Sequence, residues 1–237
     1  MTNADLIRNF LLMNAQEQER LYEEYWLRIE KLLRRNMDYS NLDDFFMLYI
    51  MYKTSKPVKS RQLYSSFVKL FRESRYSQES ILQELRYYAS IFGAFIYGDA
   101  QYSKQINRLL KRIRILNQTT CYPFLLHIFD DYHNGVIEEK TVEKVLQFIL
   151  SYLLRRLVCG VPSNTLRGLF IYLYNRIFKV ASNKQKYYET INKFLFTVSS
   201  KDAILSEAEF ERALQNANIY GNPALCRFLL LDIENGD

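Results

Sequence analysis

The chain predicts an all-α protein, an irregular bundle of about ten to twelve helices. Apolar residues recur at three- and four-residue steps along most of the 237 residues, and no segment shows the strict alternation of a half-buried strand. Seven Gly and four Pro are too few for the many tight turns of a sandwich or barrel. The 19 Tyr and 16 Phe, beside the lone Trp26, supply large side chains of the kind that fill space between helices.

Each helix follows from local signals. Thr2 or Asn3 caps a first helix with Leu6, Phe10 and Met13 on one side. A longer helix runs from Gln16 to Arg35 with Leu21, Tyr25, Ile29, Leu32 and Leu33 as its apolar stripe. Asn41-Leu-Asp-Asp opens the next, which carries Phe45, Leu48, Tyr49 and Tyr52 and stops before Pro57, since proline lacks the N–H a continuing helix needs. Gln62 to Arg72 is amphipathic through Leu63, Phe67, Leu70 and Phe71. Ser77 caps a helix reaching Tyr97, where Gly98 supplies the left-handed C′ residue.

From Ser103 to Leu116, Ile106, Leu109, Leu110 and Ile113 turn inward and Lys104, Arg108, Lys111 and Arg112 outward. Pro123 starts a helix to His133, and Ile137 to Cys159 is a long one with Val142, Val145, Leu146, Ile149, Leu153 and Leu157 in its stripe. Gly160, Pro162 and Ser163 end it and cap a helix from Asn164 to Phe178. A basic loop, Ser182 to Lys186, leads to a helix from Tyr187 to Thr197. Ser206 and Glu209 form a capping box, and a last helix starts at Asn222-Pro223. The whole is expected to be one helical domain over 1–237, with soft joints near 54–60 and 117–122.

Composition and spacing narrow the function. The N-terminal Met-Thr-Asn-Ala-Asp-Leu has no basic stretch followed by an apolar run, and every apolar run is broken well short of a membrane span. Cys121, Cys159 and Cys226 are odd in number and far apart, which suits reduced core thiols in a cytoplasmic protein. Asp130 to Thr141 has the outline of a calcium loop. Tyr132 and Thr141, however, stand where carboxylates are required, so the stretch reads as a helix–turn–helix connection. His127 and His133, the two histidines, do not share a helix face, although His127 and Asp131 do. No catalytic constellation, metal ligand set, phosphate loop or cofactor signature emerges, and the chain is expected not to be an enzyme by itself.

Charge is unevenly placed within the formal net of +6. Lys53, Lys56, Lys59, Arg61, Lys69, Arg72 and Arg75 face only Glu73 in their segment, and Lys104 to Arg114 holds five cations and no acid. Lys59, Arg61, Lys69 and Arg72, with Lys104, Arg108, Lys111 and Arg112, therefore form two strips suited to a nucleic-acid backbone or to an acidic protein surface. Arg156 continues the apolar stripe of its helix and Arg155 lies on its edge. Buried guanidinium needs a partner, which predicts an Arg–carboxylate lock between helices, with Asp43, Glu84 and Glu189 as partners to test, or an arginine pair offered to a phosphate.

Leu154-Arg-Arg-Leu-Val-Cys-Gly160 followed by Pro162-Ser-Asn-Thr-Leu166 resembles the helical middle region of GmrSD-type modification-dependent restriction endonucleases. Thr2 to Leu11 is similar to the segment leaving their N-terminal nucleotidase domain. Asn218-Ile-Tyr-Gly-Asn222 with Cys226 and Leu229 to Glu234 is similar to the stretch before their His-Asn-His nuclease domain. Neither the Asp-Gly-Gln-Gln-Arg nor the His-Asn-His motif of that family occurs here, so no catalytic residue carries over. Arg155, Arg156, Gly160 and Asn222 match family-like positions, and the resemblance implies an architectural role for them. It further implies an excised connector whose partners are the flanking nucleotidase and nuclease domains, and DNA through the basic strips. The alternative is a protein-interaction module with no nucleic-acid contact.

Overall fold

The computed structural model describes residues 2–13, 15–34, 40–162, 166–179, 181–198 and 202–235. Among the described residues the secondary structure is helical throughout, with no strand. By internal contacts the chain divides into two compact units, Met1–Tyr97 and Gly98–Asp237. The division falls at the left-handed Gly98 (φ 83°) and not at 54–60 or 117–122, which lie inside the first and second unit respectively.

The first unit holds α1 (Asn3–Leu12), α2 (Gln18–Leu21), α3 (Leu27–Leu33), α4 (Ser40–Thr54), α5 (Leu63–Ser74) and α6 (Gln78–Tyr97). Thr2 caps α1 in a capping box with Asp5, and Asp43 of α4 accepts from the Ala4 N–H at 2.8 Å, satisfying another donor at the helix start. Ala4, Ile7, Leu11 and Leu12 form the buried face of α1. Of the expected Leu6–Phe10–Met13 face, Phe10 does meet Tyr64 and Phe71 of α5 edge-on, but Met13 is 69% exposed, because the fully buried line of α1 against α4 and α5 is Ala4–Ile7–Leu11. The helix expected from Gln16 to Arg35 also differs. It starts at Gln18 and widens to a π turn over Tyr22–Trp26, and residue 35 lies outside the described set. The wider turn brings the adjacent Tyr25 and Trp26 inward together.

Trp26 then stacks on Phe46, with ring centroids 6.0 Å apart, and Phe46 meets Phe67 edge-on at 5.5 Å. These aromatics, with Phe45 and Phe92, form the centre of the unit's core, where a fully buried side chain of this size contributes about 2–3 kcal/mol. α4 ends three residues ahead of Pro57, with Ser55 at φ 50°. Ser77 Oγ accepts from the Ser80 N–H at 3.1 Å, capping α6 as its sequence predicts.

The second unit holds α7 (Lys104–Ile115), α8 (Tyr122–His133), α9 (Glu139–Val158), α10 (Leu166–Phe178), α11 (Tyr187–Thr197), α12 (Glu207–Gln215) and α13 (Pro223–Asn235). α9 is its spine and packs on α7, α8, α11 and α12. Val142, Val145, Leu146, Ile149 and Leu153 are buried along it as the periodicity requires. Gly160 (φ 66°) ends α9 in a Schellman motif, the Val161 N–H reaching the Arg156 carbonyl at 2.9 Å. The expected cap at Ser163 and the expected start at Asn164 lie outside the described residues.

Gly135 (φ 69°) ends α8 the same way, its follower Val136 bonding the Asp131 carbonyl at 2.8 Å, so the outline of a calcium loop is a helix stop. The stretch expected as a basic loop, Ser182 to Lys186, belongs to a 3-10 turn over Ala181–Lys186. Ser206 and Glu209 form the capping box of α12, and Asn222 Oδ1 accepts from the Leu225 N–H at 3.2 Å at the start of α13. Among the described residues, no helix is long and apolar enough to cross a membrane.

Candidate functional site

On α7 the charge pattern and the packing agree. Ile106, Leu109, Leu110 and Ile113 are buried, while Lys104, Arg108 and Lys111 are exposed on the opposite side of a helix without an acid. Arg112 departs from the expected outward set. It is half-buried with its guanidinium 5.5 Å from the Phe228 ring centroid, because α13 packs on α7 and covers that edge. In the first unit Lys59, Arg61, Lys69 and Arg72 are all exposed, and Lys69 makes a loose 3.9 Å pair with Glu73 one turn on. That exposed pair is worth well under about 1 kcal/mol and leaves the strip cationic.

The adjacent arginines Arg155 and Arg156 have separate roles. Arg155 leaves α9 towards α12, pairs with the Glu207 carboxylate, donates to the Leu205 carbonyl at 3.3 Å and lies 5.0 Å over the Phe210 ring. An Arg–carboxylate lock between helices is present, but its acid is none of Asp43, Glu84 or Glu189. Asp43 caps α1, Glu84 receives Lys53 at 2.6 Å, and Glu189 is exposed. Arg156 is the deeper of the two at 3% exposure, its guanidinium 5.6 Å from the Tyr152 ring. It lines a pocket of about 250 Å³ together with Gln118, Gly160, Leu166 and Asn222. Arg156, Gly160 and Asn222 thus meet at one corner, where Gly160 ends α9 and Asn222 starts α13.

A second polar centre was not predicted. Asp131 of α8 is buried, and its carboxylate accepts from Tyr174 Oη at 2.7 Å, Tyr187 Oη at 2.7 Å and Lys184 Nζ at 2.8 Å. α10, α11 and the 3-10 turn between them are pinned to α8 by this one side chain. Burial first, and then the adjacent carboxylate, pushes both tyrosine hydroxyls far above their usual range. One turn earlier on α8, His127 stacks on Tyr174 at 4.1 Å, and its burial lowers its pKa to about 3. His133 lies elsewhere, stacked on Tyr102 and sharing a 3.0 Å hydrogen bond with its hydroxyl. The sequence signal for this centre was the shared helix face of His127 and Asp131; what it lacked was the donors, 43 to 56 residues away.

With both oxygens of Asp131 engaged, the centre is a closed hydrogen-bond network and not an exposed acid or base. Among the described residues no three His, Cys, Asp or Glu side chains group as a metal site. Cys121 is buried, which raises its thiol pKa and keeps it protonated. No family model, no curated protein and no solved structure matches the chain.

Proposed function

We propose that this chain is a non-catalytic helical scaffold that holds nucleic acid by its phosphate backbone, without reading sequence. The observation that supports it best is α7: three exposed cations, Lys104, Arg108 and Lys111, on an acid-free helix whose other side is fixed in the core. Cations presented on a rigid helix neutralise phosphates and release counterions, and they do not touch base edges. Lys59, Arg61, Lys69 and Arg72 offer a like strip in the other unit. The sequence resemblance suggests the setting, a connector between the nucleotidase and nuclease domains of a nucleotide-dependent restriction endonuclease in prokaryotic phage defence. In that setting the Arg155–Glu207 lock and the Arg156–Gly160–Asn222 corner serve to keep the connector stiff.

The test is anisotropy of a labelled DNA duplex titrated with the protein across a salt series. Three phosphates neutralised by α7 give a slope of log K against log salt near −2.7, or roughly a 40-fold loss between 50 and 200 mM. K104E/K111E should flatten the slope by about two units while the far-UV spectrum stays native. Undetectable binding at low salt, or an affinity indifferent to salt, overturns the proposal. Loss of a protein assembly in K104E/K111E with DNA binding intact points instead to the protein-interaction module.

A further inference from the structure

Within the first unit, α3 and α6 flank an open groove of about 600 Å³, lined by Arg28, Lys31 and Leu32 from one helix and Gln83, Arg86 and Tyr87 from the other. Three of its lining side chains are cations and no acid is among them. The carboxylates of the two helices are engaged elsewhere. Glu30 receives Trp26 Nε1 at 2.8 Å and Arg34 at 3.3 Å, Glu79 receives Arg20 and Tyr25, and Glu84 receives Lys53 and Tyr49. Arg86 donates to the Glu24 carbonyl at 3.4 Å and stacks over Tyr25, so its charge is oriented but not neutralised. Among the described residues Arg28, Lys31 and Arg86 form no ion pair.

Arg28 and Lys31 are one helical turn apart, so their Cβ atoms lie about 5–6 Å from each other. Arg86 faces them across packed helices whose axes are about 8–10 Å apart. Three cationic side chains from two helices therefore line one concavity instead of following a single helix, which suits a compact polyanion better than an extended backbone. The volume lies in the range of small-ligand sites, about 300–1,000 Å³, and exceeds what a single phosphate fills. Guanidinium forks match phosphate oxygens two at a time, and Lys31 adds a point charge.

We propose that this groove binds an oligophosphate anion, free or as the phosphate chain of a nucleoside triphosphate. The residues involved are separate from α5 and α7, so the proposal does not depend on the nucleic-acid reading.

The experiment is calorimetric titration of the full chain at about 150 mM salt, in EDTA, with tripolyphosphate, ATP and AMP as probes. Tripolyphosphate and ATP should bind, and AMP about tenfold or more weakly. R28A and R86A should each weaken tripolyphosphate about tenfold, K31E more, and K104E/K111E not at all. Equal affinity for ATP and tripolyphosphate supports a site reading phosphates alone; tighter ATP supports a nucleotide site, and either supports the proposal. No binding of either probe at millimolar concentration overturns it. So does equal affinity for AMP and ATP, or binding unchanged in R28A and K31E, two exposed positions whose substitution leaves the core intact.

Discussion

Replacing Asp131 with alanine should destabilise the second unit more than any other single polar substitution. The side chain is 9% exposed and accepts three hydrogen bonds, two of them from tyrosine hydroxyls at 2.7 Å. Hydrogen bonds to a charged group contribute about 1.5–3 kcal/mol each, and truncation leaves the buried Tyr187 hydroxyl without an acceptor. The Lys184 side chain is 31% exposed, so its pairing adds under about 1 kcal/mol. Because one carboxylate serves all three donors these increments are not additive, and the loss expected is about 3–5 kcal/mol, the usual cost of removing one partner from a buried charged network. Urea unfolding followed by far-UV circular dichroism measures it. With a slope of about 2 kcal/mol per molar, the midpoint falls by about 1.5–2.5 M. Tyr187→Phe alone should cost about 1–2 kcal/mol, and the double variant should fall short of additivity by a similar amount. A midpoint drop below about 0.5 M for Asp131→Ala would show that the carboxylate does not hold these helices together.

Other perturbations probe the remaining features. His127, with its pKa lowered to about 3, is neutral in the fold and titrates near 6.5 once unfolded. Its contribution is therefore intact above about pH 6.5 and lost as pH falls towards 3, reaching about 3 kcal/mol near pH 4; His127→Phe should remove that part of the acid sensitivity, and parallel stability–pH curves for both proteins would exclude it. Gly160→Ala meets no steric neighbour within 4 Å but must hold φ 66°, so a loss of about 1–2 kcal/mol is expected from backbone conformation alone in a denaturant melt. Arg155→Ala removes the Glu207 pair and the cover over Phe210, and should cost about 1–2 kcal/mol, with Arg155→Lys restoring less than half in the same assay. Cys121, fully buried, should resist alkylation in the native protein and react at the random-coil rate only in denaturant, as mass spectrometry would show.

How much of this was legible in the residues varies with the range of the interaction. Thr2–Asp5, Ser77, Ser103 and Ser206–Glu209 each bond a backbone N–H within three residues, so the starts of α1, α6, α7 and α12 are written locally. Gly98 and Gly160 mark ends for the same reason, since a positive φ is a property of the residue itself. The inward face of α7 was legible because Ile106, Leu109, Leu110 and Ile113 recur at helical spacing among basic and polar residues.

The inward face of α1 was not, because both of its sides carry apolar residues and the packing on α4 and α5 decides between them. The π turn at Tyr22–Trp26 escapes a reading based on a constant period, as it changes the period where Trp26 must reach Phe46.

What the sequence determined by itself is the all-helical class, most helix limits and the basic outer face of α7, because periodicity and capping act within a few residues. Only the tertiary structure decided that Asp131 gathers Tyr174, Lys184 and Tyr187, that Arg155 takes Glu207, and that Arg28, Lys31 and Arg86 share one groove. Asp131 and its donors, Arg155 and Glu207, and Arg86 and the Arg28–Lys31 pair stand tens of residues apart along the chain, and their meeting depends on which helices bury their apolar faces against each other. Helical spacing defines each apolar face but not the helix that covers it.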